Sequence, residues 1–275
     1  MDGARYSETW GDSLHTHIPH IAKDLAPEGI ILTNFNNNGP TYTLSGHTSI
    51  TTGIHQEIDN SGNQLPDKPS FFQIFRSTLN LDSTLTWIIT SKDKLEVLSD
   101  CNDIKWKGTY RPMKDCGISG NGSGYRHDSV TFKRVISVLK EYHPELLLVN
   151  FREPDFSGHT GVFKDYLKGV EMTDEYSYNI WKFLKDDEYY RNTTAFFIVN
   201  DHGRHLDGIS DGFAGHGDTC RGCRHILLYA SGPDFKKGKI DPEQGDLIDI
   251  TRTVYYLLKI RIAESSGKVL EGILK

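Results

Sequence analysis

Short apolar runs alternate along this chain with longer segments whose apolar residues recur at helical spacing. Such alternation favours an α/β fold with a mostly parallel central sheet sandwiched by helices. The predicted strands are 30–34, 85–90, 146–151, 195–200 and 226–230, and the clearest predicted helices are 70–79, 128–142, 161–184 and 247–260. We predict a single domain over residues 1–275, in which 99–125 forms a small loop-rich cap or a long loop.

Charge and hydropathy exclude several classes of protein. The formal net charge is -6 and acidic residues are spread along the chain, which argues against binding to a nucleic-acid duplex by phosphate neutralisation. Apolar runs such as 195–199 fall far short of the roughly 18 residues of a membrane span. The first residues of the chain as given lack a basic stretch followed by an apolar core, so from them we expect no signal peptide and a cytoplasmic protein, or a periplasmic or secreted one if a longer form has an upstream signal. No sequence feature indicates the oligomeric state.

Potential metal ligands follow or flank three of the predicted strands. They are Asp155 and His159 after the third strand, Asp201 and His202 after the fourth, and His216 in the loop before the fifth. In an open α/β sheet, ligands bind beyond the carboxyl ends of the strands. Each group has an ordinary alternative, such as a helix N-cap at Asp155 or a strand-end turn at Asp201. Their shared position favours a zinc or manganese site built from carboxylates and imidazoles.

A candidate nucleophile lies in the segment 39–53, where a turn leads into the start of a helix. Unpaired N–H groups at a helix N-terminus stabilise a bound phosphate or sulfate. A threonine hydroxyl coordinated to a divalent ion is activated for attack at neutral pH. Serine and threonine side chains are also typical N-caps, and without the metal ligands that simpler interpretation would be preferred.

Taken in order, these motifs resemble the alkaline phosphatase superfamily over nearly the whole chain, in particular its type I phosphodiesterase/nucleotide pyrophosphatase branch and the related phosphonoacetate hydrolases. The matching positions are Asp2-Gly3, Thr43 through Thr52-Gly53, Asp155 with Gly158 and His159, Asp201-His202-Gly203, His216 and the helix at Asp249-Ile250-Thr251. Any one motif is a weak signal, whereas several in family order form a specific one. The resemblance implies an alkaline phosphatase-like fold.

The resemblance also implies a site with two divalent metal ions, zinc being favoured and manganese the alternative. One ion would be held by Asp155, His159 and His216, and the second by Asp2, Asp201, His202 and the hydroxyl of Thr43. Thr43 would attack phosphorus and form a covalent phospho-threonine intermediate, which water then releases. The implied substrate is a small-molecule phosphate ester, namely a phosphodiester, a nucleotide pyrophosphate or a phosphonate.

The chain departs from the family pattern at two places. Gly46 stands where phosphate-binding members carry asparagine, so a backbone N–H, His47 or Arg152 would replace that substrate-binding side chain. Only Met1 precedes Asp2, so the strand that carries the first aspartate in the family is missing from the chain as given. These departures motivate one alternative from a different class, a catalytically degenerate metal-binding relative.

Other members of the superfamily provide further alternatives. A phosphomonoesterase or an unusual sulfohydrolase could use the same scaffold. The Cys/Ser-x-Pro-x-Arg setting of classical sulfatases is not present around Thr43, which disfavours that activity. Cofactor-independent phosphoglycerate mutases use a serine and a large inserted domain, for which 275 residues leave no room, so mutase activity is disfavoured as well.

Four cysteines allow two interpretations. Cys220 and Cys223 could chelate a structural zinc together with Cys101 and Cys116, but the latter two lack Cys-x-x-Cys spacing. Two disulfides or plain thiols are therefore favoured.

Overall fold

The computed structural model describes residues 1–261 and 266–275, which form two compact units. Unit 1 comprises Met1–Tyr42, Glu153–Leu247 and Leu270–Lys275, and unit 2 comprises Thr43–Arg152 and Ile248–Val269. The single domain expected over 1–275 stays a prediction.

Within the described ranges the chain forms seven strands and seven α-helices. The strands are β1 (Gly29–Asn36), β2 (Thr86–Thr90), β3 (Met113–Cys116), β4 (Leu146–Asn150), β5 (Phe196–Val199), β6 (His225–Ser231) and β7 (Lys239–Asp246). The helices are α1 (Thr43–Thr52), α2 (Phe71–Leu79), α3 (Asp128–Tyr142), α4 (Asp155–Gly158), α5 (Phe163–Asp186), α6 (Arg221–Arg224) and α7 (Leu247–Leu257). The α/β class is confirmed, and so are the five predicted strands and four predicted helices, with small shifts at their ends.

The sheet of unit 1 has the strand order β5-β6-β1-β7. β7 pairs parallel with β1, whereas β6 runs antiparallel to both β1 and β5. β6 can run antiparallel to β5 because the connection between them, residues 200–224, holds only one α-helix, the four-residue α6, and no helix long enough to cross the sheet. As a result, the residues that follow Val199 and those that precede His225 lie at the same end of this sheet, where β5 ends and β6 begins.

The sequence patterns did not predict β3 and β7, and both are polar. β7 is an exposed edge strand that contains Pro242, whose missing N–H is tolerated at an edge. Its register against β1 shifts between Asp241 and Gln244, which accommodates Pro242 and Glu243 as a bulge. β3 lies inside the segment 99–125 and pairs parallel with β2. The segment begins at Ser99, the last residue of a 3-10 helix, and otherwise consists of turns, bends and irregular backbone.

The core of unit 1 joins α5 to this sheet and so fixes the loops that leave it. Tyr166 and Val170 of α5 pack with Ile31, Ile198 and Leu227 from three strands. Glu153 and the helix α4 lie just before α5 in the chain, and Gly169 of α5 approaches Pro154 so closely that a Cβ would lie 2.9 Å from its Cα. The packing of α5 therefore sets the position of the segment that begins with Asp155.

Unit 2 contains a three-stranded parallel sheet in the order β3-β2-β4, with β2 buried along its whole length. Helix α1 is buried at all ten residues although most of them are polar. Several of its hydroxyl groups donate to a backbone carbonyl one turn back: Ser49 donates to Ser45 O at 3.0 Å, and Thr52 donates to Thr48 O at 2.7 Å. These internal hydrogen bonds let a serine- and threonine-rich helix lie in a core.

All four cysteines are free thiols, which matches the second of the two favoured alternatives. Cys101, Cys116 and Cys223 are buried and Cys220 is partly exposed. In the described ranges, no helix combines the length and the apolar character that a bilayer crossing requires.

Candidate metal centre

Three of the predicted ligands converge in unit 1 and form the first cluster, Asp155, His159 and His216. Nε2 of His159 lies 3.2 Å from Nε2 of His216. Each of these nitrogens lies 3.3 Å from Oδ1 of Asp155. The three ligand atoms thus form a nearly equilateral triangle.

The size of this triangle fits a tetrahedral metal ion. Zinc bonds of about 2.0 Å to nitrogen and oxygen hold neighbouring ligand atoms about 3.3 Å apart. His216 is oriented for this role, because its Nδ1 donates to the carbonyl of Thr41 at 2.8 Å and so leaves the lone pair on Nε2. The position of Asp155 at the first residue of α4 and of His159 one turn later brings both side chains to the same face.

The second cluster comprises Asp2, Asp201 and His202, all buried. Nε2 of His202 lies 3.4 Å from Oδ2 of Asp201 and 3.6 Å from Oδ1 of Asp2. Backbone contacts hold Asp2 in place, since its N–H donates to Glu153 O and its carbonyl accepts from the N–H of Asp155. The N-terminal aspartate therefore lies beside the segment that supplies the first cluster.

His202 has a buried ring nitrogen that no hydrogen bond satisfies. Its Nδ1 donates to the carbonyl of Gly203 at 2.8 Å, which leaves the Nε2 lone pair directed toward Asp2 and Asp201. Burial lowers the pKa of His202 to about 3, so the imidazole is neutral, as a metal ligand must be. A buried lone pair beside two carboxylates fits a divalent ion, which would satisfy all three groups at once.

The two clusters lie side by side. The rings of His202 and His216 stack with their centroids 4.0 Å apart. Gly3 connects the clusters as well: its N–H donates to Oδ1 of Asp201 at 3.1 Å, and a Cβ at this position would lie 2.8 Å from Oδ1 of Asp155. A glycine is required here, both by that approach and by its φ of +62°.

The proposed nucleophile belongs to unit 2. Thr43 is the first residue of α1 and is buried, and its hydroxyl accepts a hydrogen bond from Nζ of the buried Lys92 at 3.0 Å. Sequence analysis did not select Lys92. It follows the carboxyl end of β2, so the strand-end rule that selected the metal ligands would also have selected it.

Residues 1–205, about three quarters of the chain, match the family described as type I phosphodiesterase / nucleotide pyrophosphatase. The chain belongs to this family. The match covers Asp2, Thr43, Asp155, His159 and the Asp201-His202 pair, and it ends before His216.

Curated relatives of this family member include 2,3-bisphosphoglycerate-independent phosphoglycerate mutases. That of Onchocerca volvulus is 29% identical over 137 residues, which are 49% of this chain and 25% of the relative. That of Clostridium botulinum is 32% identical over 140 residues, 50% of this chain and 25% of the relative. The matched part therefore spans about a quarter of the length of these relatives.

Solved structures confirm the alkaline phosphatase-like fold. Murine ectonucleotide pyrophosphatase/phosphodiesterase 5 has a TM-score of 0.71 at 13% identity, covering 100% of this chain and 98% of that one. A phosphonate monoester hydrolase from Silicibacter pomeroyi has a TM-score of 0.67 at 15% identity, covering 98% of this chain and 74% of that one. At such identities the likeness concerns the fold alone.

A residue that sequence analysis missed explains the glycine of the family motif at 155–159. The guanidinium of Arg204 is fully buried and donates to Oδ1 of Asp155, and its Nη2 lies 3.3 Å from Nδ1 of His159. A Cβ on Gly158 would lie 2.7 Å from Cζ of Arg204. Only a glycine at position 158 therefore leaves room for the guanidinium of Arg204. Arg204 directly follows Asp201-His202-Gly203, but its role depends on partners 49 and 45 residues away.

The predicted substrate-binding residues Gly46, His47 and Arg152 all lie in unit 2. Gly46 is buried within α1. His47 is also buried there, with Nδ1 donating to Thr43 O at 2.9 Å and Nε2 lying 3.3 Å from the amide nitrogen of Asn150. The backbone N–H of Arg152 donates to Asp128 at 2.8 Å. Their contact with substrate stays a prediction.

Proposed function

We propose that this protein hydrolyses phosphate esters with two divalent metal ions and with Thr43 as a covalent nucleophile. The observation that carries the proposal is the pair of adjacent ligand clusters, in which every ligand atom is a nitrogen or oxygen. We favour zinc because the spacing of the first cluster suits tetrahedral coordination, with manganese as the alternative. The proposed substrates are phosphodiesters, nucleotide pyrophosphates or phosphonates.

The two clusters would hold the ions. Asp155, His159 and His216 would bind one ion, and Asp2, Asp201 and His202 the other, with the Thr43 hydroxyl assigned to it by the family motif. When bound, such ions polarise the phosphoryl oxygens and stabilise negative charge on the attacking and leaving oxygens.

Thr43 would begin the reaction by attacking phosphorus. As its Oγ1–P bond forms, the bond from phosphorus to the leaving alkoxide or phosphate breaks, and the hydroxyl proton leaves to solvent or to the departing group. Lys92 donates to Oγ1 and so stabilises the charge that develops there. Water then attacks phosphorus, the Oγ1–P bond breaks, and Thr43 regains a proton as the phosphate or phosphonate product departs.

A relative supports the role of the threonine. Murine ectonucleotide pyrophosphatase/phosphodiesterase 5 has also been solved as an inactive threonine-to-alanine variant in complex with AMP. The resemblance of residues 43–53 to the family motif implies that Thr43 is the nucleophile of this chain. By analogy with this AMP complex, we propose a phosphate ester of a nucleotide as one of the substrates of this protein.

The test is hydrolysis of a chromogenic phosphodiester and a phosphonate monoester by the zinc-loaded protein and its Thr43→Ala variant. We expect loss of turnover in the variant. In rapidly quenched wild-type protein, peptide mass spectrometry should find Thr43 esterified to phosphorus together with the substituent that phosphorus retains after the leaving group departs. Thr52→Val is the matched control, since it removes a hydroxyl from the same helix that donates to the backbone carbonyls of Thr48 at 2.7 Å and Ile54 at 3.5 Å. Unchanged turnover in Thr43→Ala would refute the covalent route.

Side-by-side rates separate the alternatives. A phosphomonoester or sulfate ester cleaved faster than the diester would favour the phosphomonoesterase or sulfohydrolase assignment. Metal binding without turnover of any of these esters would favour a degenerate metal-binding relative.

A further inference from the structure

A third cluster of potential metal ligands lies in unit 1, and it shares no residue with the first and second clusters. It comprises His205, Asp218, Cys220 and Cys223. One ligand atom from each residue can be chosen so that all four lie within 4.8 Å of one another. Cys220 precedes α6 and Cys223 lies within it, so a single helical turn brings the two sulfur atoms together.

His205 directs an unsatisfied nitrogen into this cluster. The side chain is nine-tenths buried, and its Nε2 has no hydrogen-bond partner. On the other side of the ring, Nδ1 lies 2.5 Å from the carboxylate of Asp211. Nδ1 therefore carries the proton and Nε2 the lone pair, which is the usual arrangement of a metal-bound histidine whose second nitrogen is held by a carboxylate.

The remaining ligand atoms approach the same point. Oδ2 of Asp218 lies 3.3 Å from Nε2 of His205, while Oδ1 accepts the N–H of Cys220 at 2.9 Å. The Asp218 carboxylate also contacts both thiols. Zinc–sulfur bonds of about 2.3 Å place two thiolates about 3.8 Å apart. This separation is compatible with the 4.8 Å within which the four ligand atoms lie.

We propose that His205, Asp218, Cys220 and Cys223 form a structural zinc site. Two thiolates, an imidazole and a carboxylate are four ligands for a tetrahedral ion, and the soft sulfur pair selects zinc over manganese. Binding releases the two thiol protons, so the site carries a net charge of minus one. Asp218 is half exposed and gives the ion a way in, whereas Cys223 is fully buried, unlike the accessible nucleophile of a redox Cys-x-x-Cys pair.

This ion would link the two ends of the loop that contains His216, since its ligands lie on both sides of that residue in the sequence. The N–H of His205 donates to Gly215 O at 3.0 Å, directly before His216, and a Cβ on Gly215 would lie 2.1 Å from the Asp211 carboxylate. The loop is thus packed around the group that orients His205. A metal joining His205 to Cys220 and Cys223 holds both ends of this loop and positions His216 for the first cluster.

Cobalt substitution tests the proposal independently of activity. Sulfur ligands give cobalt(II) a charge-transfer absorption in the near ultraviolet, and neither of the two other clusters contains sulfur. We expect this band in cobalt-loaded wild-type protein. It should be lost, together with one equivalent of bound zinc, in the Cys220→Ser/Cys223→Ser variant. Cys101→Ser, which changes a buried cysteine outside the cluster, should keep both.

The outcomes separate this site from the proposed catalytic one. Absence of the band in the wild-type protein would overturn the proposal even if the double variant failed to fold. A Cys220–Cys223 disulfide in protein purified under reducing conditions would overturn it as well. Thr43→Ala should keep the band, so loss of turnover there leaves this inference unaffected.

Discussion

Arg204 offers the most direct test of how unit 1 holds its ligands. Its fully buried guanidinium donates to Asp155 and to the carbonyls of Phe213 and Ala214. The change Arg204→Met keeps most of the side-chain volume but leaves the buried carboxylate of Asp155 without this cation. Removing one partner of a buried ion pair costs about 3–5 kcal/mol. We expect a loss of that size in the free energy of unfolding of the chelator-treated protein.

Zinc should reduce this loss, because an ion in the first cluster supplies positive charge to the same carboxylate. The assay is urea unfolding of both proteins, with chelator and with excess zinc. Lys185→Met is the control, since Lys185 pairs with Glu28 at the surface and such pairs contribute about 0–1 kcal/mol. The reasoning is refuted if chelator-treated Arg204→Met unfolds within about 1 kcal/mol of wild type, or if zinc leaves the difference between the two proteins unchanged.

Two further substitutions follow from the same contacts. Lys92→Met should lower kcat about 10²–10³-fold, which is the usual effect of removing one donor to a developing charge. Lys94→Met is the control: Nζ of Lys94 contacts Asn60, so this change should leave kcat little changed. Equal rates for the two variants would exclude Lys92 from the mechanism. Gly158→Ala should destabilise the protein by about 1–3 kcal/mol, because its Cβ would overlap the guanidinium of Arg204. Thermal unfolding checks this second prediction, and an unchanged midpoint would contradict it.

Short sequence patterns were enough to predict five strands and four helices and to select the candidate metal ligands. The five confirmed strands are short apolar runs, and the predicted metal ligands stand next to strand ends in compact motifs. β7 escaped prediction because its residues are polar and include a proline, and the parallel partner β1 imposes its conformation from more than 200 residues away. Edge strands of this kind are specified by their neighbour more than by their own pattern.

The missed residues share one property, which is that their partners are distant in the sequence. Lys92 meets Thr43, and Arg204 meets Asp155, across 49 positions in both cases. The number and spacing of the cysteines favoured two disulfides or plain thiols over a zinc site shared with Cys101 and Cys116, whereas the structure places His205 and Asp218 beside Cys220 and Cys223. Only the folded loop shows that the histidine three residues after His202 belongs to a different cluster.

The loop that follows β5 contributes residues to all three clusters. Within four consecutive positions, His202 faces the second cluster, Arg204 contacts the Asp155 carboxylate of the first, and His205 turns to the cysteines. The same loop then returns through His216 to the first cluster. Loss of the cysteine site should therefore weaken zinc binding at the first cluster through His216, in addition to removing the equivalent that the cysteines hold. Thr43→Ala removes a hydroxyl assigned to the second ion and should leave the first cluster loaded. Zinc content and turnover thus respond to different residues, which separates positioning of the metal centre from its chemistry.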